Sequence, residues 1–206
     1  MARAKVCGLT READVQAAVA AGVDALGFIV DVDVDTPREI TPQKAEQLIA
    51  SVPPFVTSVL VTMPDAAADA VMLAELVGAD AIQTYGLPPA DLSVVITDFH
   101  GAVIPAVSPD EVAEYGHVGH ALLVDTPREG GGGGTGETHD WERTREVTAD
   151  LDRPVVLAGG LTPDNVAEAV ATVGPYAVDT ASGVEREGGV KDHDAVRAFV
   201  ANARQA

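Results

Sequence analysis

Eight short apolar runs, each followed by a helical pattern, glycine-containing loops after the last two runs, and a length of 206 residues predict an α/β fold, the single-domain TIM (β/α)8 barrel. Strand and helix in strict alternation call for a parallel sheet whose strands are each covered by the helix that follows. The count selects the closed form. An open flavodoxin-like sheet needs fewer strands and a topological switch point, and would leave units over. No Ser/Pro-rich linker interrupts the chain, so residues 1–206 are expected to form one domain near the lower end of the size range of this fold.

The elements follow in order. Ala4 to Cys7 is an apolar strand stopped by Gly8, with a helix over Arg11 to Ala21. Ala25 to Val30 runs into the acidic loop Asp31 to Asp35, then Thr36-Pro37-Arg38, then a helix over Pro42 to Ser51 that carries Thr41 as cap and proline at its first position. Val56 to Thr62 with Pro64 to Val77, and Ala81 to Tyr85 with Pro88 to Asp98, make the third and fourth units. The fourth helix matches its pattern least, because Val94 to Phe99 (VVITDF) is itself strand-like. Ala102 to Val107 leads through Ser108-Pro109 into Pro109 to Tyr115, and Ala121 to Asp125 leads through a glycine run into Trp141 to Asp150. Pro154 to Ala158 is followed by Thr162-Pro163 and a helix over Pro163 to Val173, and Ala177 to Thr180 by His193 to Ala203. No repeat is evident beyond this period.

Composition bounds the function. Apolar residues make up 47% of the chain, yet no uncharged run approaches the roughly 20 residues needed to span a bilayer. The N-terminus lacks the apolar core of a signal peptide, and one cysteine permits no intramolecular disulfide, so a cytoplasmic protein is expected. Thirty-two acids against thirteen Lys and Arg give a formal charge of -19, which disfavours nucleic-acid binding. The acids are spread along the whole chain rather than gathered in a tail, a distribution that keeps a protein soluble and hydrated in molar salt. The plainer reading is an ordinary acidic protein.

Candidate chemistry gathers at the strand tips, where barrel enzymes place their sites. Cys7 closes the first strand; its thiol, with an ordinary pKa of about 8.5, serves as a base when its neighbours favour the thiolate, and otherwise packs as a small hydrophobe. Asp125 ends the apolar run of the sixth strand. It could flank a bound substrate opposite Cys7 as an acid, or simply open the following loop as an Asx turn. Gly159-Gly160 within Leu157 to Leu161 (LAGGL) and Ser182-Gly183 after Asp179 stand at the tips of strands seven and eight, where close backbone approach and a hydroxyl donor suit phosphate. Gly131 to Thr138 matches the spacing of a P-loop, but Glu137 stands where the phosphate-binding lysine is required, and a flexible active-site loop is expected there instead. Arg38 can hold a carboxylate with two nitrogens, or pair with the neighbouring aspartates. The five histidines and the cysteine show no metal-ligand spacing, and no metal is expected.

Taken together these segments resemble the phosphoribosylanthranilate isomerase family of tryptophan biosynthesis. The resemblance runs nearly end to end: KVCG at Lys5 to Gly8, Gly27 to Ile29 with Thr36 to Arg38, Gln83 to Gly86, Asp125 with Gly133 to Gly136 and Asp140-Trp141, Leu157 to Leu161, and Val178 to Glu185 with Val190 to Asp192. It implies an Amadori rearrangement of a phosphoribosyl amine, with Asp125 as general acid and Cys7 as general base. It also places Arg38 at the anthranilate carboxylate, Gly159, Gly160, Ser182 and Gly183 around the phosphate, and Asp179 beside the substrate's polar centre. Proton transfers suffice for this chemistry, so no cofactor is implied, and the partners are a small phosphosugar and, as monomer or homodimer, at most a second copy of the chain. The sequence departs from the family at Thr84-Tyr85 (usually Leu-His), Ala181 and Thr36 (usually Ser) and His139 (commonly Phe). One missing hydroxyl should weaken phosphate binding by about 1 kcal/mol.

Rival readings are another phosphate-binding barrel enzyme of tryptophan or histidine biosynthesis, and a non-catalytic phosphosugar-binding barrel. Such enzymes typically use a catalytic lysine or an aspartate pair. Lys5, two residues before Cys7 on the same strand, is expected to point inward at a lower, structural level. Retention of both Cys7 and Asp125 argues against a mere binder.

Overall fold

The computed structural model describes residues 1–126 and 140–206. The expected loop over Gly130 to Gly136, the P-loop-like spacing and His139 lie outside the described residues. Eight parallel strands close into a barrel in sequence order: β1 (Arg3–Val6), β2 (Ala25–Ile29), β3 (Thr57–Thr62), β4 (Ala81–Thr84), β5 (Ala102–Val107), β6 (Leu122–Val124), β7 (Val155–Leu157) and β8 (Ala177–Thr180). The ring is sealed where β1 pairs with β8, placing Lys5 opposite Asp179 and Val6 opposite Thr180.

Helices alternate with the strands: α1 (Glu12–Ala21), α2 (Pro42–Ile49), α3 (Ala67–Val77), α4 (Pro89–Asp98), α5 (Val112–Tyr115), α6 (Trp141–Thr148), α7 (Val166–Val173) and α8 (His193–Gln205). Val94 to Phe99 belongs to α4 and its cap, and not to a strand. Leu92 and Val95 are buried three residues apart on one helical face, while Val94 faces solvent, so a run that looks continuous in sequence is split by the helical period. Thr41 caps α2 as expected, accepting from the Lys44 amide. After Ser108-Pro109 and Thr162-Pro163 the chain first makes a turn, and α5 and α7 begin three residues beyond each proline. The reason is local: Glu111 takes the Ser108 amide and hydroxyl, and Asn165 takes the Thr162 amide, so side chains hold each turn.

Two short strands carry no signal in the sequence. One turn of 3-10 helix (Ser182–Val184) follows β8, and the antiparallel pair β9 (Glu185–Glu187) and β10 (Val190–Lys191) precedes α8. Fully buried Asp14 of α1 anchors this region, accepting from the Lys191 amide at 3.2 Å and bonding His193 Nε2 at 2.8 Å. No helix of the described residues is long and apolar enough to cross a membrane.

Packing divides the strand residues by parity. Ala4, Val6, Leu26, Phe28, Leu60, Ile82, Leu157 and Val178 join the core between sheet and helices. Their alternates, including Cys7, Val59, Val61, Leu123 and Val156, fall in separate clusters on the inner face of the barrel.

Candidate active site

Parity decides which polar groups face inward. On β1 the outward Ala4 and Val6 leave Lys5 and Cys7 to the interior, and on β8 the outward Val178 does the same for Asp179. Asp125 continues the inward parity of Leu123, and Tyr85 that of Gln83. Backbone bonds pin the key residues at the strand tips: Cys7 N–H donates to Thr180 O at 2.8 Å and Asp125 N–H to Val107 O at 2.9 Å.

All eight residues singled out in the sequence border one cavity at the C-terminal ends of the strands: Cys7, Arg38, Asp125, Gly159, Gly160, Asp179, Ser182 and Gly183. The cavity holds about 790 Å³ of empty space, part of it open to solvent. Gly159 has φ +87, and a Cβ there would overlap the Thr126 hydroxyl; a Cβ on Gly183 would overlap the Leu161 carbonyl oxygen. The loop after β7 therefore presses on the segment after β6 at Gly159 and on the loop after β8 at Gly183, close approaches that a side chain at either position would block.

The floor of the cavity is charged. Lys5, 5% exposed, donates to Asp179 Oδ2 at 2.8 Å, in the lower inward position expected for it. Burial alone would push Lys5 down, but Asp179 and Cys7 outweigh it and keep the ammonium charged. Asp179 Oδ1 is buried with no partner among the described residues. Burial pushes the Cys7 thiol up, Lys5 pulls it back, and Asp179 pushes it up again. Burial likewise raises Asp125, against two bonds that favour its ionised form: Tyr85 Oη donates to Oδ2 at 3.0 Å and the Thr126 amide to Oδ1 at 2.7 Å.

Arg38 does not pair with the aspartates that precede it. Its Nε and Nη2 donate to Glu185 Oε1 and Oε2 at 3.0 and 2.7 Å, and Lys191 Nζ donates to the same Oε1 at 2.7 Å. Burial would raise Glu185, but Arg38 and Lys191 outweigh it and hold its carboxyl below the ordinary value. Sequence reasoning assigned no role to Glu185, Lys191 or Tyr85. Glu185 and Lys191 lay within the matched segments, and their charges next to a phosphate loop were the available signal. Tyr85 was visible only as a departure from a pattern.

A thiol, a carboxyl of raised pKa, an arginine and a glycine-lined loop pair around one cavity can carry out proton transfers on an anionic ligand. Comparison with known proteins agrees. The family model of N-(5'-phosphoribosyl)anthranilate (PRA) isomerase matches residues 4–202. The N-(5'-phosphoribosyl)anthranilate isomerase of Haloferax volcanii is 55% identical over 209 residues, covering 100% of this chain and 95% of the relative, and that of Halobacterium salinarum is 56% identical, covering 98% and 96%. Among solved structures, phosphoribosyl anthranilate isomerase from Thermotoga maritima superposes with TM-score 0.88 at 34% identity, with both chains fully covered. A phosphoribosyl anthranilate isomerase in complex with reduced 1-(o-carboxyphenylamino)-1-deoxyribulose 5-phosphate superposes at TM-score 0.85 and 31% identity, again with both chains fully covered. Monomers generated from the dimeric Thermotoga maritima protein match at TM-score 0.85 and 30% identity, with full coverage of both chains.

Proposed function

This chain belongs to the N-(5'-phosphoribosyl)anthranilate isomerase family of tryptophan biosynthesis, and from that premise we propose that Asp125 and Cys7 are the acid and base of its isomerisation. The substrate is N-(5-phosphoribosyl)anthranilate and the product 1-(2-carboxyphenylamino)-1-deoxyribulose 5-phosphate. Asp125 gives a proton to the furanose ring oxygen as its bond to C1' breaks, leaving a Schiff base. Cys7, as thiolate, takes the proton from C2', and the resulting enolamine passes to the ketone. One proton is given and one taken, so the substrate is isomerised and the enzyme resets by moving a proton from thiol to carboxylate. Nothing in this sequence of steps calls for a cofactor.

The single observation that carries the reading is the convergence of eight residues from five strand ends on one cavity. Burial of Asp125 favours the protonated form a general acid needs. Lys5 beside Cys7 favours the thiolate against the cost of burial. Asp179 Oδ1, without a partner among the described residues, suits a substrate hydroxyl, Gly159, Gly160, Ser182 and Gly183 suit the phosphate, and Arg38 suits the anthranilate carboxylate. We further infer that residues 1–206 act as one cytoplasmic unit, as monomer or homodimer. The second is favoured by Phe55, fully exposed at φ +72 in the loop before β3.

Turnover of freshly generated substrate in about 2 M KCl, where charges are screened within a few Å, tests the pair. Cys7→Ala and Asp125→Asn should each lose at least about 10³ in kcat with the fold intact. A variant that keeps wild-type turnover would remove its residue from the acid/base pair.

A further inference from the structure

We propose that Tyr85 is a positioning residue for the acid step, its hydroxyl holding the Asp125 carboxyl in place and accommodating both of its charge states through Gln83. The inference rests on Asp125 being the general acid.

The three side chains form one directed array inside the barrel. Gln83 Nε2 donates to Tyr85 Oη at 3.3 Å, and Tyr85 Oη donates to Asp125 Oδ2 at 3.0 Å. Gln83 and Tyr85 stand two residues apart, so the strand's alternation stacks them on the inner face, the first within β4 and the second just past its end. Asp125, at the tip of β6, is reached over the intervening β5. The Thr126 amide holds the other carboxylate oxygen at 2.7 Å, so both oxygens are fixed and only their remaining lone pairs are left for a substrate. Tyr85 also borders the cavity. Burial and the facing Asp125 keep its phenol well above the ordinary value, so it acts as a neutral donor.

A general acid changes from carboxyl to carboxylate and back in each turnover, so its partner must serve both. The observed direction of the array suits the carboxylate. Gln83 Oε1 is buried with no partner among the described residues, while the opposite end of the same amide holds Tyr85. Turning this amide by half a rotation would present its carbonyl to Tyr85, whose hydroxyl would then donate to Gln83 and accept from a protonated Asp125. The Gln83–Tyr85–Asp125 array can run in either direction, because amide and hydroxyl each offer donor and acceptor, with one end of the Gln83 amide left over each time among the described residues. Loss of the Asp125 proton to the ring oxygen would then be met at once by a donor on Oδ2, stabilising the carboxylate as it forms.

Asp125 is faced, among the described residues, by Tyr85 from β4, by Asp179 from β8 and by Lys5 from β1; Tyr85 also faces Cys7. Of these, only Tyr85 bonds its carboxylate, alongside the neighbouring Thr126 amide. Tyr85→Phe removes one oxygen and keeps the ring, so it isolates the bond.

The experiment measures kcat, KM and the pH dependence of kcat/KM for wild type, Tyr85→Phe and Asp125→Asn in about 2 M KCl, together with the 13Cγ titration of Asp125 in aspartate-labelled protein. In Tyr85→Phe, kcat should fall about tenfold with KM within about twofold, because the loss of a fixed carboxyl outweighs the larger protonated fraction that a higher Asp125 pKa brings. Both the acidic limb of kcat/KM and the Asp125 titration should move up by about one pH unit. The substrate's own titration is common to both proteins and cancels. Wild-type kcat, or a lower kcat with limb and titration unmoved, would reduce Tyr85 to a space-filling ring and overturn the proposal. If Asp125→Asn stays active, the acid assignment falls instead, and the two failures are told apart.

Discussion

Glu185 takes two nitrogens of Arg38, accepting from Nη2 at 2.7 Å and from Nε at 3.0 Å, across 147 residues of sequence. The bidentate pair fixes the plane of the guanidinium, and the side chains are only 15% and 5% exposed, so solvent screens it little. Lys191, fully buried, donates to the same Oε1 that takes Arg38 Nε and sets a second positive charge against this carboxylate. Arg38 thus meets the cavity in one orientation, with Nη1 donating to Thr36 Oγ1 at 3.5 Å and, in the proposed binding mode, its other N–H groups turned to a ligand carboxylate. Glu185→Gln removes the charge that holds both cations, and KM should rise about tenfold with kcat changed less than about threefold, since this contact is made in ground and transition states alike. Steady-state kinetics decide it, and a KM within about twofold of wild type would show that Arg38 needs no clamp.

The contact between the loops after β7 and β8 predicts a contrast between two glycines. Gly183→Ala forces a methyl against the Leu161 carbonyl oxygen at the cavity wall. Separating the loops should cost about 1–3 kcal/mol of stability and raise KM about tenfold or more. Gly174→Ala, at the end of α7 with φ +66 and no atom near its Cβ, carries only the backbone penalty of about 1 kcal/mol and should leave KM unchanged. Thermal melts and substrate titrations on the pair separate an effect of the loop contact on ligand binding from a general loss of stability.

The pH dependence of kcat/KM follows from the two shifted groups. With the proposed acid and base, the productive enzyme would carry a proton on Asp125 and none on Cys7. Both groups are raised by burial, and if the carboxyl remains the stronger acid of the two, this form is the minority arrangement of a singly protonated pair. The profile is then a bell whose acidic limb belongs to the carboxyl and whose basic limb belongs to the thiol, each above its ordinary value. Lys5→Met removes the cation that opposes the rise of Cys7, so the basic limb should move further up and the rate near neutrality should fall. A basic limb that stays put in Lys5→Met would show that Lys5 serves Asp179 alone.

The barrel itself was legible because parity and helical period act over a few residues: the eight strand-helix units stand where the apolar runs put them, with the end of α4 recovered once Leu92 and Val95 are seen on one face. What the sequence hid is short or long in range. The residues Glu185 to Lys191 (EREGGVK) carry no apolar alternation, so β9 and β10 gave no signal. Arg38 and Glu185, or Tyr85 and Asp125, meet only after the barrel closes, and each has nearer partners of suitable charge or polarity along the chain. Lys5 was placed correctly because alternation from Cys7 sufficed, whereas its ion pair with Asp179 required the β1–β8 register.

Salt should raise both stability and substrate capture. The formal charge is -19, and two of the three lysines, Lys5 and Lys191, are buried in ion pairs, leaving Lys44 as the only other. Exposed pairs such as Arg143 with Asp110 and Arg145 with Glu142 contribute little. The outer surface is therefore acidic with few cations to offset it, and it faces a substrate bearing a phosphate and a carboxylate. At 0.1 M salt the Debye length is about 10 Å, and at 1 M about 3 Å, so repulsion between protein and substrate fades over this range while the buried pairs around the cavity are screened far less. Between about 0.1 and 2 M KCl KM should fall, kcat should change little, and the melting temperature should rise. If kcat/KM instead fell steadily while the protein stayed folded, the dominant effect of salt would lie on the ion pairs that bind the substrate, and the acidic surface would play no part in its capture.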